Sequence, residues 1–415
     1  MFILYRILSY LFLIFSPLII IYRIIKKKES ISRFLERYSF QSVTRKKGKL
    51  IWLHCASVGE FLSIIPLIEK FEKNSKVHQI LITTTTLSSS KIFNRMKFKK
   101  TVHQFFPIDN KLVMSKFINY WKPSIFFLCE SELWPNLIDT IKEKKIKLIL
   151  LNGRMTYRSY NRWKKIKFFA NEILNKFDLF FAQNIETQKR LKKLGAKKII
   201  YLGNLKFSTS EKIKHEVVDK RVENFFRNKK ILMTAASTHF NEENFVIQNH
   251  LYFLKKNIKN LASIIIPRHV ERANEIKDLL RNYSLKSHFH SDKAKINKDV
   301  DIYIVDTYGE VNKFYRMSKI VFMGGSLINH GGQNPLEPAK FGCEIIYGPF
   351  INNFKEIYKK LDDLKISKKF SSYNSGINII KKKFNKKNRV FDNRMITKYG
   401  ETILNSTYNR IQKLI

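Results

Sequence analysis

The chain has 415 residues, more than one hydrophobic core usually supports, and 44% of them are hydrophobic, enough for two domains of roughly 150 to 200 residues. Its formal net charge of +44 invites a nucleic-acid reading, but Lys, Ile, Asn and Phe are abundant everywhere, and no zinc-finger spacing, RNP-type aromatic motif or confined basic tail accompanies the charge. The three cysteines (Cys55, Cys129, Cys343) stand far apart without a C-x-x-C pair, which suits a reducing compartment and argues against a disulfide framework.

Residues 1–25 (MFILYRILSYLFLIFSPLIIIYRII) are apolar apart from Arg6, a few Tyr and Ser, Pro17 and Arg23, and Lys26, Lys27 and Lys28 follow. About 20 apolar residues cross a bilayer core as a helix. No small-residue cleavage site follows, so a membrane anchor is expected over residues 1–28, acting as attachment and contributing no catalytic group. The lysine cluster on its C-terminal flank places the remaining chain in the cytoplasm, against a membrane whose anionic lipids attract Lys and Arg. Arg6 and Pro17 leave a tilted or monotopic insertion open.

From residue 45 onward short apolar runs alternate with amphipathic stretches. Strands are expected at 49–55, 79–84, 125–129, 147–151, 178–182 and 198–202, then at 230–235, 262–266, 302–305, 320–323 and 344–347. Alternating β and α segments imply parallel sheets, and two such sets imply two Rossmann-like domains with a junction near Gly203 to Ser208. The stretch 352–395 turns lysine- and asparagine-rich and carries no clear assignment.

The first strand leads into "HCASVGE" (54–60) and a helix. Ser57 and Glu60 have the spacing of a capping box, in which each side chain satisfies an otherwise unpaired backbone N–H. The same turn lies at the carboxyl end of a strand, where open α/β sheets bind their ligands. On these residues alone Glu60 reads equally as a helix cap and as a catalytic base. The densest constellation is "MGGSLINHGGQNPLEPAKFG" (323–342), where a strand meets paired glycines and Asn334, Pro335, Leu336 and Glu337 open a helix. Such a helix start is a natural phosphate site, and a carboxylate there can accept both hydroxyls of a ribose. Its spacing is neither a P-loop nor a dinucleotide fingerprint. "IIIPRH" puts Arg268 and His269 just past a strand, and "DTYGEV" (306–311) repeats a T-x-x-E spacing. His54, His103 and His330 lack metal-ligand spacing and read as structural or supporting groups, and Trp134 as an anchor against its sheet. Four glutamates at or near strand exits (Glu60, Glu130, Glu310, Glu337) suggest a crevice lined from both halves.

"HCASVGE" (54–60), "ESELWPNL" (130–137), "NGRMTYRSY" (152–160), "GNLKF" (203–207), "PRHVER" (267–272), "DTYGE" (306–310) and "GGSLINHGGQNPLEPAKFG" (324–342) together resemble the 3-deoxy-D-manno-octulosonic acid (Kdo) transferases of lipopolysaccharide synthesis. The resemblance runs in family order to about residue 356; Cys55, Ala56 and the lysine-rich tail are departures. It implies a membrane-anchored α/β protein of the GT-B fold, with two Rossmann-like domains facing a central cleft. The boundaries are an anchor at 1–28, an acceptor domain at 29–205 and a CMP-Kdo-binding domain at 206–415, with the last helix free to pack back on the N-terminal domain. It further implies inverting transfer of Kdo from CMP-Kdo to a lipid A precursor, without metal or other cofactor. Glu60 matches the proton acceptor, and Glu130 and Lys206 match positions that steady the transition state. Arg268, His269, Tyr308, Gly309, Glu310, Asn334, Pro335, Leu336 and Glu337 match the CMP-binding segments. The partners implied are the donor, the lipid acceptor and anionic membrane lipids at the cytoplasmic face of a bacterial inner membrane, with no nucleic acid. A GT-B transferase that uses a UDP-sugar is the alternative on the same architecture.

Overall fold

A computed structural model describes residues 1–208, 218–384 and 394–415. The chain divides into two compact units, Met1–Ser210 with Tyr399–Ile415, and Glu211–Lys398.

The first unit is built on seven strands: β1 (Leu50–Cys55), β2 (Gln79–Thr84), β3 (Thr101–Phe105), β4 (Ile125–Cys129), β5 (Lys147–Gly153), β6 (Leu179–Ala182) and β7 (Ile199–Tyr201). They pair in parallel in the order β3-β2-β1-β4-β5-β6-β7. Strands covered on both faces need continuous apolar runs, and β1 (LIWLHC) and β4 (IFFLC) are buried at every position. On one face Trp52 packs its ring 4.0 Å from Phe126 and donates its indole N–H to Thr83. That bond settles the polar end of a fully buried aromatic.

β3 was not expected from the apolar pattern, because His103 and Gln104 interrupt it. Both are buried and bonded: His103 to Thr84, and Gln104 to the Phe40 carbonyl and the Trp121 indole. Buried polar groups with partners cost little, so tertiary contacts override the pattern.

The second unit repeats the plan with β8 (Lys230–Thr238), β9 (Leu261–Pro267), β10 (Ser287–Phe289), β11 (Ile302–Ile304), β12 (Ile320–Met323), β13 (Glu344–Tyr347) and β14 (Ser367–Lys369), all parallel in the order β10-β11-β9-β8-β12-β13-β14. Separate apolar clusters, one around Phe245, Phe322 and Phe370 and one around Phe226, Tyr303 and Phe314, fill the space between strands and helices. β10 and β14 are three-residue edge strands, too short to register as apolar runs. The lysine-rich stretch resolves into the helix Lys355–Asp363, β14 and the helix Tyr373–Phe384, while residues 385–393 lie outside the described residues. The fold class is therefore α/β, with two Rossmann-like sheets.

The chain end belongs to the first unit. In the helix Arg394–Gln412, Ile403, Thr407 and Ile411 are buried, and Tyr408 bonds the Asn74 amide and lies against Phe71. Two glycines make room for this return: a Cβ on Gly203 would stand 2.6 Å from Ile403, and one on Gly400 2.3 Å from the Phe207 carbonyl.

The N-terminal helix Phe2–Ile25 also packs on the first unit, where the sequence suggested attachment alone. The Tyr5 hydroxyl donates to Asp109, Arg6 pairs with Asp139, and Ser16 meets the Tyr38 hydroxyl. Removing residues 1–25 strips partners from buried Asp109 and half-buried Asp139. The truncated protein is expected to lose about 2 to 4 kcal/mol of stability, since a hydrogen bond to a charged group contributes about 1.5 to 3 kcal/mol. Calorimetric unfolding of full-length and truncated protein in one detergent checks this, and an unchanged Tm would show the helix to be energetically detached.

Candidate functional site

In the first unit β1 has β2 on one side and β4 on the other, so strand order reverses between β1 and β4. The crevice outside the carboxyl ends of strands at such a switch is where open α/β sheets hold ligands. Glu60 follows β1 and Glu130 follows β4, each on its own side of the switch.

Glu60 sits in the first turn of the helix Val58–Glu72. The expected capping box forms: the Ser57 hydroxyl accepts from the Glu60 N–H, and the Glu60 carboxylate accepts from the Ala56 N–H at 2.8 Å and from the Ser57 hydroxyl at 3.1 Å. Only 8% of Glu60 is exposed. Burial, and then the charge of Glu130, push its pKa up to about 7, against the pull of the Ala56 N–H. Capping alone would stabilise the ionised form. The environment instead holds a carboxylate whose proton comes and goes near neutrality, the range in which a general base works best.

Glu130 has a backbone φ of +53°, unusual for a side-chain-bearing residue, and is 5% exposed. Its N–H donates to the Leu151 carbonyl and its own carbonyl accepts from the Arg154 N–H, so β5 and the chain leaving it fix the turn. Its carboxylate pairs with Lys206 at 2.6 Å. Lys206 is presented by the short 3-10 helix Leu205–Ser208, whose approach is set by an amide network. The Asn152 amide bonds Asn204, Asn204 bonds Gln183, and the Leu205 N–H donates to Asn152. Sequence reasoning passed over Asn152, Asn204 and Gln183; Asn152 lies near the end of β5, and Gln183 and Asn204 follow β6 and β7, a placement that was the available signal. Glu132 is half-buried, and burial raises its pKa above the ordinary range. His54 is fully buried and held neutral, its pKa lowered to about 3 by burial, and Trp134 packs on Phe106.

In the second unit the reversal falls between β8 and β12, and the chain after β8, β9 and β12 gathers there. His239 follows β8, and its ring lies 4.2 Å from that of His330, past β12, and 6.0 Å from that of His269, past β9. Burial, then His330, His269, Arg268 and Arg272, lower the His239 pKa to about 4. Arg268 and Arg272 bring positive charge to this region, and the His239 ring beside them is neutral near pH 7. Arg268 and His269 are exposed at its rim. Tyr308 is exposed and donates to Glu271, and Gly309 has open space around its Cα. Glu310 pairs with Lys313 at 2.6 Å and lies 3.7 Å from His290. The Thr307 hydroxyl has no partner, so the T-x-x-E spacing forms no capping pair.

The Asn334 side chain accepts from the Leu336 N–H, but the N-cap of the five-residue helix Leu336–Lys340 is Pro335 and not Asn334, so the expected capping arrangement is shifted by one residue. Pro335 and Leu336 are buried and Glu337 is half-buried at this helix start. The glycines around it serve close approach within the chain: a Cβ on Gly324 would stand 2.2 Å from the Ser237 carbonyl, and one on Gly331 2.5 Å from Asn353.

A residue that the sequence reading missed organises this region. Glu242, 1% exposed, accepts from the N–H groups of Gly325, Ser326 and Leu327 and from that of His239. The nest of N–H groups after β12 is thus filled by the protein's own carboxylate, which fixes the His239 and His330 loops together. Its His239 bond is local, but the three N–H groups of the nest lie some eighty positions onward, and nothing near Glu242 in the sequence marks them.

The match to known proteins decides the family. A model of the 3-deoxy-D-manno-octulosonic-acid transferase family matches residues 32–209. A 3-deoxy-D-manno-octulosonic acid transferase of Rickettsia bellii is 34% identical over 358 residues, covering 86% of this chain and 84% of the relative. The chain belongs to the Kdo transferase family. It is a glycosyltransferase. A Haemophilus influenzae transferase of the same description is 31% identical over 85% of this chain and 83% of its own. Among solved structures, a putative UDP-N-acetylglucosamine 2-epimerase from Listeria monocytogenes superposes with a TM-score of 0.58 at 11% identity, covering 88% of this chain and 98% of its own, which shows a shared two-Rossmann-domain fold of the GT-B type.

In this Kdo transferase, Glu242→Ala leaves four backbone N–H groups without an acceptor. Stability of the second unit is expected to fall by about 3 to 5 kcal/mol, and Glu242→Gln, which keeps an acceptor oxygen, by less. Denaturant titrations of both variants check the order, and equal losses would show that the carboxylate is not what holds the loop.

Proposed function

We propose that this enzyme transfers Kdo from CMP-Kdo to a lipid A precursor, lipid IVA, with inversion at the anomeric carbon, at the cytoplasmic face of a bacterial inner membrane. The observation that carries the proposal is the state of Glu60: a buried carboxylate with a pKa of about 7, one strand away from a carboxylate that Lys206 keeps paired. An inverting displacement needs one base to take the proton from the attacking sugar hydroxyl while the nucleotide departs from the opposite face. Glu60 takes that proton. Its hydrogen bonds from Ala56 and Ser57 aim the carboxylate in the resting state.

Glu130 and Lys206 steady charge around the transition state, Lys206 as an ammonium and Glu130 by holding it in place. On the second unit, Arg268 and His269 face the phosphate region, Tyr308 to Glu310 flank the nucleotide, and Asn334 to Glu337 take the ribose, with Glu337 accepting its hydroxyls. Preorganised charges of this kind act strongly because they need no reorganisation as the bond breaks. On this reading the first unit is the acceptor domain and the second the donor domain. The N-terminal helix is the anchor; it is long and apolar enough to cross a membrane.

Glu60→Gln keeps the capping geometry and removes the base, so kcat is expected to fall about 10²- to 10⁴-fold with CMP affinity unchanged. The wild-type rate at saturating substrates should rise with pH toward 7 and level above it, and Glu60→Gln should lack that limb. The stability signature has the opposite sign. A carboxyl whose pKa is raised on folding binds its proton more tightly in the native state, so its contribution is full below about 4.5 and is lost as pH rises through about 7. Glu60→Gln should therefore gain Tm relative to wild type at pH 8 and not at pH 4. Near-normal turnover would show that Glu60 only caps its helix.

For the donor site, Glu337→Ala and Arg268→Ala are each expected to weaken CMP binding by about 1.5 to 3 kcal/mol, the range for hydrogen bonds to charged groups. Calorimetric titration with CMP decides this, and unchanged affinity in both variants removes the assignment. Product mass spectrometry after incubation with CMP-Kdo and tetraacylated lipid A precursor, with UDP-sugars in parallel, tests the whole reaction.

A further inference from the structure

The helix Phe2–Ile25 has two chemically different sides. Residues 2, 5, 6, 9, 13, 16, 20, 23 and 24 are partly or fully covered, and this spacing of three and four traces one face over the whole length. Arg6, Ser9, Ser16 and Arg23 all lie on it, together with the Tyr5 hydroxyl. The opposite side is apolar and exposed, including Ile3, Ile7, Leu11, Ile14, Leu18, Ile21 and Ile25.

The covered face is pegged at regular intervals. Phe2 meets Phe169 edge-on at 5.8 Å, and the Lys176 ammonium lies over the Phe2 ring. Tyr5 donates to Asp109 at 2.7 Å, Arg6 pairs with Asp139, and the Asn110 amide donates to Ser9. Two turns on, Ser16 and the Tyr38 hydroxyl lie 2.9 Å apart. At the far end Arg23 pairs with buried Glu29, which also pairs with Arg37 at 3.0 Å. The pegs span nearly the full helix, about 36 Å at 1.5 Å per residue. Their partners belong to the helix Lys167–Leu174 and Lys176 just past it, the helix Pro135–Glu143, the turn before the helix Lys111–Trp121, the 3-10 helix Phe34–Tyr38, and Glu29, which Arg37 of that 3-10 helix holds.

This geometry is incompatible with a helix standing along the bilayer normal. Upright, it would either carry those elements into hydrocarbon, with exposed Lys142, Lys144 and Lys145 at the end of one of them, or detach and give up the Tyr5, Arg6 and Arg23 bonds to Asp109, Asp139 and Glu29. Lying flat satisfies both constraints, with the polar side on protein and the apolar side in lipid. We propose that residues 2–25 form a monotopic helix embedded in one leaflet of an anionic bilayer, pegged along its length to the first unit, with both its ends on the side of the enzyme body. Exposed Phe168, beside the Phe2 contact, extends the apolar surface at one end, and Lys26, Lys27 and Lys28 meet anionic headgroups at the other. The inference rests on the membrane reading of this helix.

The test uses the full-length protein with a nitroxide at Ile3→Cys, Ile14→Cys or Ile21→Cys, three positions on the exposed side. The native cysteines are all buried and escape labelling. The protein is reconstituted, body outward, in vesicles of phosphatidylethanolamine and phosphatidylglycerol. Oxygen and nickel accessibilities should report about the same shallow depth at all three sites, roughly 5 to 10 Å below the headgroups. A protease site placed before Met1 should be cut in intact vesicles. Overturning results are a depth maximum at Ile14 near the bilayer centre, about 15 Å in, or an N-terminal site protected until detergent is added. Failure to bind vesicles at all would sink the membrane reading itself, a result distinct from either of these.

Discussion

Two buried carboxylates at the ends of neighbouring strands set the terms for the first unit. Glu60 and Glu130 cannot both be charged in that setting without a cation, and Lys206 supplies one to Glu130. The consequence is a division of labour: Glu130 is paired with Lys206, and burial together with the neighbouring Glu130 raises the pKa of Glu60. Everything that positions Lys206, from the Asn152, Asn204 and Gln183 amides to the positive φ of Glu130, therefore acts on the proton affinity of Glu60. On the proposed mechanism, capping and catalysis are not rival uses of Glu60. The cap orients it, and the neighbouring charge tunes it.

The second unit handles its carboxylate differently. Glu242 is spent on four backbone N–H groups and fixes a loop that gathers the imidazoles of His239, His269 and His330 beside Arg268. The two units, built on the same strand plan, thus place different chemistry at their switch points, carboxylates with a lysine in the first and imidazoles with an arginine in the second.

The parallel sheets were legible because central parallel strands must be apolar on both faces, and β1, β4, β9 and β12 are little else. β3 escaped notice because its polar residues find partners that only the folded chain provides. The capping box at Ser57 and Glu60 was legible as geometry, but its proton affinity was not, since that depends on Glu130, seventy positions away. Glu242 was invisible for the same reason. In the N-terminal helix Arg6, Ser9 and Ser16 looked like blemishes in an apolar run; their meaning lies in Asp139, Asn110 and Tyr38, which the run itself does not contain.

The return of residues 399–415 to the first unit bears on how the protein is made. A chain leaves the ribosome N-terminus first, at about 5 to 20 residues per second, and domains tend to fold as they emerge. Here the first unit lacks the helix at 399–415 until the second unit has been made, so it waits on the order of ten seconds or more while that whole unit emerges and can fold. Buried Ile403 and Ile411 follow the second unit in the chain, and until they arrive the apolar surface that they cover stays open. The second unit, whose residues are contiguous, is completed before the first. In this enzyme the order of assembly reverses the order of the sequence.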